Sequence, residues 1–130
     1  MFDKFFPDRY VASTYVIDFE GLYKEGVRGL IFDIDNTLVP HGAPADERAR
    51  ALFKRLKSIG FRCCLISNNQ KPRVEMFNKD IQVDYVYNAH KPSIRNYLKA
   101  MEIMGTDRDS TVFIGDQLFT DVWGAKRAGI

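Results

Sequence analysis

The sequence predicts an α/β protein on a mainly parallel sheet, and three observations carry that prediction. Short apolar runs of strand length recur at residues 29–34, 61–67, 83–87 and 111–114. Stretches with apolar residues at helical spacing separate them, and each run ends in a cluster of polar residues. Strand and helix alternating in this way imply a parallel sheet wrapped by right-handed crossovers rather than separate all-α or all-β units.

Residues 29–34 (GLIFDI) form the first core strand, an apolar run ending in carboxylates that suits a strand buried on both faces. Residues 45–59 form a helix: Ala49, Leu52, Phe53, Leu56 and Ile59 fall on one stripe, Asp46 and Glu47 stand in the first turn, and Gly60 stops the run. Residues 61–67 are the second strand, and Pro72 fits the first turn of a short helix reaching about Lys79. Residues 83–87 are the third strand. In residues 93–104, Ile94, Tyr97, Leu98, Met101 and Met104 share a helical stripe between a Ser93 cap and a Gly105 stop. Residues 111–114 are the fourth strand and residues 120–128 a last helix. Upstream, Asp18 caps a short helix closed by Gly26, residues 1–17 carry no assignable pattern, and residues 1–28 are expected to pack on the core. Ala128-Gly129-Ile130 reads as a helix stop and the start of another strand. A fifth edge strand is therefore expected beyond the last residue, leaving the fourth strand with an unpaired edge here.

A chain of 130 residues fits a single domain, and 45% hydrophobic residues, 28% charged residues and a net charge of +2 are those of a globular protein. Disorder, collagen and disulfide scaffolds are excluded. No apolar stretch approaches the roughly 20 residues that cross a bilayer, and Asp3, Lys4, Asp8 and Arg9 interrupt the aromatic amino terminus, so a cytoplasmic protein is expected. Cys63 and Cys64 are adjacent and would point to opposite faces of a strand, which suits core thiols and neither a bridge nor a zinc site. The balanced charge argues against a dedicated nucleic-acid binder.

Ligands of open parallel sheets bind beyond the carboxyl ends of the strands, and four polar clusters are expected to converge there. They are Asp33-Ile34-Asp35-Asn36-Thr37, Ser67-Asn68-Asn69, Asn88-Ala89-His90-Lys91-Pro92, and Gly115-Asp116 with Asp121 beyond. Asp33 and Asp35 stand two apart, so both can address one phosphorus, one attacking and the other moving protons. Asp116 adds a third carboxylate, and carboxylate oxygens with water are the ligands Mg²⁺ prefers. Ser67 and Lys91 supply a hydroxyl and an ammonium suited to the equatorial oxygens of a transferring phosphate. The constellation reads as phosphoryl transfer.

These motifs also carry a resemblance. Phe32-Asp33-Ile34-Asp35-Asn36-Thr37-Leu38-Val39, Ser67-Asn68-Asn69, His90-Lys91-Pro92 and Gly115-Asp116-Gln117-Leu118-Phe119-Thr120-Asp121 resemble, in order, the four motifs of the haloacid dehalogenase (HAD) phosphatases. In finer detail the chain resembles the class III, subfamily A phosphatases of the YqeG family, related to mitochondrial phosphatidylglycerophosphate phosphatases. The resemblance implies a three-layer Rossmann-like fold with strand order 4-1-2-3. It also implies an aspartyl-phosphate on Asp33, with Asp35 as acid and then base, and Mg²⁺ held by Asp33, the Asp35 carbonyl and Asp116. Asp121 would be a lesser metal-site residue, while Ser67 and Lys91 bind phosphate and Asn68 is a secondary phosphate ligand.

HAD enzymes commonly insert a cap domain after the first motif or between the second and third. Here residues 37–45 leave room for only a short flap, and the chain between Ser67 and Lys91 is consumed by a helix and a strand. An open site suits a bulky or lipid-linked phosphate, with phosphatidylglycerophosphate implied by the resemblance. Phosphorylated nucleic-acid ends, another small phosphoester, and a scaffold that binds phosphate or protein without turnover stay open beside it. So do a homo-oligomer covering the site and peripheral membrane contact through Phe2, Phe5 and Phe6, whose simpler reading is packing on the domain. Lys71 and Arg73 are candidates for a second anionic group at the rim. His41 and His90 read as loop residues, and the basic residues of the long helix as a solvated face.

Overall fold

The computed structural model describes residues 14–35, 37–67, 70–87, 94–115 and 119–121. Strand β1 (Gly29–Asp33) lies at the centre of a sheet ordered β3-β2-β1-β4-β5. It pairs in parallel with β2 (Arg62–Ile66) on one side and β4 (Thr111–Ile114) on the other, and β2 pairs in parallel with β3 (Asp84–Val86). The four parallel strands therefore stand in the expected order.

The fifth strand is where the expectation fails. β5 (Phe119–Asp121) runs antiparallel to β4, with Phe119 opposite Ile114 and Asp121 opposite Val112. Residues 120 and 121 thus belong to a strand and not to the start of a helix, and the outer edge of β4 is paired. The physical reason lies in the open row of N–H and C=O groups on β4, which any adjacent extended segment can satisfy, and Phe-Thr is compatible with a strand. The remainder of the expected last helix lies outside the described residues.

Helix ends follow their local chemistry. Asp18 caps α1 (Phe19–Lys24) by accepting the Gly21 N–H at 2.9 Å. Asp46 caps α2 (Glu47–Ile59) by accepting the Ala49 N–H at 2.8 Å, so it stands just before the first turn rather than within it. Gly60 ends that helix at φ +120°, and a Cβ there would sit 2.8 Å from the Tyr23 hydroxyl, so glycine is required by both backbone and space. Pro72 occupies the opening of α3 (Lys71–Asn78), where its missing N–H costs nothing. α4 (Ile94–Met104) follows β3 and runs to Gly105, at φ +73°.

Alternation along the strands splits the core in two. Leu30, Phe32, Cys63, Leu65, Val112 and Ile114 pack on one face against Phe19 of α1, Leu52, Phe53 and Leu56 of α2, and Val74 and Phe77 of α3. Ile31, Cys64, Ile66 and Val86 pack on the other against Ala100, Met101 and Met104 of α4. The adjacent cysteines therefore enter different cores as free, buried thiols, and burial pushes both up to about 12. Tyr15, Ile17, Leu22, Tyr23 and Val27 pack against the first core. Among the described residues no helix is long and apolar enough to cross a membrane.

Candidate active site

The site grows from the carboxyl end of β1. Leu30, Ile31 and Phe32 are fully buried and hold the strand in register, so half-buried Asp33 emerges beside Ile66 of β2 and one step beyond Ile114 of β4. The residue after Ile66 is Ser67, which donates its N–H to the Val86 carbonyl at 3.1 Å and is 1% exposed. Sheet register alone thus places Asp33, Ser67 and the Gly115 backbone on three neighbouring strand ends.

Beyond Asp33 the chain folds back instead of continuing extended. The Ile34 carbonyl accepts the N–H groups of Leu38 at 3.0 Å and Thr37 at 3.3 Å, and Asp35 forms an isolated bridge with Val39. Ile34, Leu38 and Val39 are fully buried, which anchors the turn in the core. Tyr15 donates its hydroxyl to the Leu38 carbonyl at 2.8 Å and so clamps the turn from the amino-terminal side, with the Arg48 guanidinium over its ring.

This turn places Asp35 under the flap. Its Oδ1 accepts from the Gly42 N–H at 2.7 Å and from Arg73 Nη2 at 2.6 Å, and His41 Nδ1 lies 4.0 Å away. Arg73 reaches from the first turn of α3 and donates through Nη1 to the Ala43 carbonyl at 2.6 Å. Burial pushes the Asp35 carboxyl up, but the Arg73 hydrogen bond, the Gly42 N–H and the charges of Arg73 and His41 together hold it below its ordinary value. Tyr97 of α4 is shifted the other way, first by burial and then by the negative charge of Asp33. Its ring packs on Phe113 with centroids 5.3 Å apart.

Arg73 is the residue whose role the sequence did not reveal. Its side chain, 12% exposed, is committed to Asp35 and the flap and does not stand at the rim waiting for an anion. Lys71 is exposed, 4.0 Å from Glu75 and 5.9 Å from the centre of the Tyr87 ring. Thr37 Oγ1 and Arg73 Nε are buried and have no hydrogen-bond partner among the described residues. Of the expected site residues, Asp33, Asp35 and Ser67 are brought to one end of the sheet. Asn68, Lys91 and Asp116 lie outside the described residues. The backbone of Asp121 sits opposite Val112, which pairs with Leu30, and so lies back from the end where Asp33 emerges.

A parallel sheet carrying an aspartate at the end of its central strand, a second two residues on and a buried serine on the neighbouring strand is the framework of one class of hydrolase. Residues 41–129 match the haloacid dehalogenase-like hydrolase family, and the chain belongs to it. It is a phosphatase of that family. Over 131 residues it is 37% identical to the "Probable phosphatase YqeG" of Bacillus subtilis, a match covering 99% of this chain and 76% of that protein. A glyceraldehyde 3-phosphate phosphatase of Pyrococcus abyssi is 23% identical over 91 residues, 63% of this chain and 38% of that one. Among solved structures, a Vibrio cholerae protein described as a "putative 3-deoxy-D-manno-octulosonate 8-phosphate phosphatase" shares the fold with a TM-score of 0.58 at 19% identity, over 75% of this chain and 62% of its own. A hypothetical protein from Xanthomonas campestris superposes with the same TM-score and identity over 76% of this chain and 61% of its own. The chain therefore spans less than two thirds of each of these last three proteins.

Proposed function

We propose that the chain is a Mg²⁺-dependent phosphomonoester hydrolase that works through an aspartyl-phosphate on Asp33. The observation that carries this reading is the register that sets Asp33 beside the β2 end, where buried Ser67 follows, with Asp35 held two residues on. Asp33 attacks phosphorus, Asp35 protonates the departing oxygen and then takes a proton from the attacking water, and Ser67 donates to a phosphoryl oxygen. Lys91 neutralises the same oxygens, with Asn68 beside it.

The donor set fits a hard divalent cation, because the Asp33 carboxylate and the Asp35 main-chain carbonyl are oxygen donors of one turn and Asp116 follows Gly115 in the chain. Bound there, Mg²⁺ supplies charge neutralisation at the phosphoryl group. We leave Asp121 out of the metal set, since its backbone register favours a place behind the site.

A bulky or lipid-linked phosphomonoester is the favoured substrate, phosphatidylglycerophosphate among them. The flap of residues 37–45 supports this, since it is short and held down on Asp35 where other enzymes of the family carry a cap domain. The test is hydrolysis of a chromogenic phosphate with and without Mg²⁺ by the chain and by Asp33→Asn. Activity that needs the metal and vanishes in the variant is expected; activity indifferent to either overturns the mechanism. A panel of lipid phosphates, phosphorylated DNA ends, glyceraldehyde 3-phosphate and sugar phosphates then fixes the substrate class.

A further inference from the structure

We propose that Arg73 is a positioning residue for Asp35: one guanidinium fastens the acid–base carboxylate and the flap to α3, and so sets where Asp35 stands against the leaving oxygen. This rests on the reading of Asp35 as proton donor. The two partners come from different stretches of chain, Asp35 at 2.6 Å through Nη2 and the Ala43 carbonyl at 2.6 Å through Nη1. A planar fork can hold both at once in fixed relation, which a lysine ammonium on a flexible stem cannot reproduce.

Arg73 is itself well placed to act as a fixed point. Its N–H donates to the Gln70 carbonyl at 3.1 Å, and the next residue, Val74, is fully buried, as is Phe77 one turn on. Helix α3 is thereby pinned on the first core, and the guanidinium projects from a rigid element rather than from a loop. On the opposite side, Asp35 Oδ1 also takes the Gly42 N–H at 2.7 Å, with Gly42 at φ +79°. The flap, the carboxylate and the helix are therefore joined in one closed ring of contacts: Gly42 to Asp35, Asp35 to Arg73, Arg73 to Ala43. Arg73 Nε is buried without an acceptor among the described residues.

A purely structural ion pair would stabilise the flap and affect every substrate alike. A positioning residue acts in proportion to how much the reaction needs the proton from Asp35. The experiment measures kcat/KM, which reports steps up to phosphoryl transfer to the enzyme, for dinitrophenyl, nitrophenyl and phenyl phosphate in the presence of Mg²⁺. It is run on the chain, Arg73→Gln, Arg73→Lys, Asp35→Asn and the Asp35→Asn/Arg73→Gln pair, with a thermal melt for each.

Arg73→Gln is expected to lower kcat/KM about 10–100-fold for phenyl phosphate, whose leaving group must be protonated, and no more than about twofold for the dinitrophenyl ester, which leaves unaided. Arg73→Lys falls between. In the Asp35→Asn background, measured with the dinitrophenyl ester and then with phenyl phosphate, adding Arg73→Gln changes the rate by less than about twofold. A loss equal across leaving groups, or an undiminished loss without the Asp35 carboxylate, overturns the proposal. Should Arg73→Gln not fold, the Arg73→Lys series carries the same comparison. Failure of the parent reading would show separately, as activity surviving Asp33→Asn; a flat Arg73 series alongside an inert Asp33→Asn sinks only the positioning role.

Discussion

The two ends of the sheet both carry charged side chains, yet they are built differently. At the amino end, a groove of about 600 Å³ is lined by Arg50, Lys54 and Lys57 of α2, by Arg62, and by Asp80 and Asp84. Its one ion pair among the described residues, Arg62 to Asp84 at 3.5 Å, joins side chains that are 59% and 43% exposed. At the carboxyl end the Arg73–Asp35 pair is shorter, 2.6 Å, and its partners are 12% and 14% exposed. Exposed charges are screened and free to move, whereas a half-buried carboxylate with two donors on one oxygen is held in position. A charged groove is therefore not by itself a sign of chemistry; the proposed site lies at the end where Arg73 and Asp35 are held together.

The contrast breaks most sharply at Asp33. Asp33→Asn is expected to lower kcat by at least about 10³-fold, because an amide is not a nucleophile towards phosphorus, while leaving the thermal melt close to that of the parent. Phe32→Ala, one residue earlier, should do the reverse. That ring is fully buried against Phe53 with centroids 5.1 Å apart, and its removal is expected to cost about 3–5 kcal/mol in urea denaturation. Ser67→Ala should lower kcat/KM by about 10²-fold through loss of one donor to the transferring phosphoryl group.

A smaller effect separates the ends by pH. Because Arg73 and Gly42 hold the Asp35 carboxyl below its ordinary value, the pair stabilises the fold above the unfolded carboxylate pKa of about 3.9 and is lost as pH falls through the folded value. The gap in urea midpoint between the chain and Arg73→Gln is therefore expected to be full at neutral pH and to close as the solution is taken below about pH 4. The smallest effect belongs to the amino-end groove, where Lys57→Ala is expected to change stability by no more than about 0.5 kcal/mol and kcat/KM by less than twofold. A large loss of activity there would move the site to the other end of the sheet.

How much of this could be read from sequence depends on the range of the interaction. Strands β1, β2 and β4 were legible because buried parallel strands are largely apolar runs, β3 because Val83, Tyr85, Val86 and Tyr87 are strand-forming residues, and the helix stops at Gly60 and Gly105 because they are local. Placing Asp33 and Ser67 together needed only strand polarity, since both follow apolar runs and parallel strands end on the same side. The tie between Arg73 and Asp35 carries no such signature. An arginine after Lys-Pro in a first helical turn looks like any rim cation, and only the fold-back at residues 34–39 brings the flap and α3 to the same carboxylate. Strand β5 was missed for a related reason. Phe-Thr-Asp suits a helix start as well as an edge strand, and the open edge of β4 decides between them.

The central claim is that one carboxylate carries the phosphoryl group during turnover. Its most direct measurement is acid quenching of the chain during hydrolysis of a phosphomonoester with Mg²⁺, followed by peptide mass spectrometry to locate any covalent phosphate. The account predicts a phosphoryl group on Asp33 that decays as product forms and is missing from Asp33→Asn. Steady turnover with phosphate found on another side chain would contradict it.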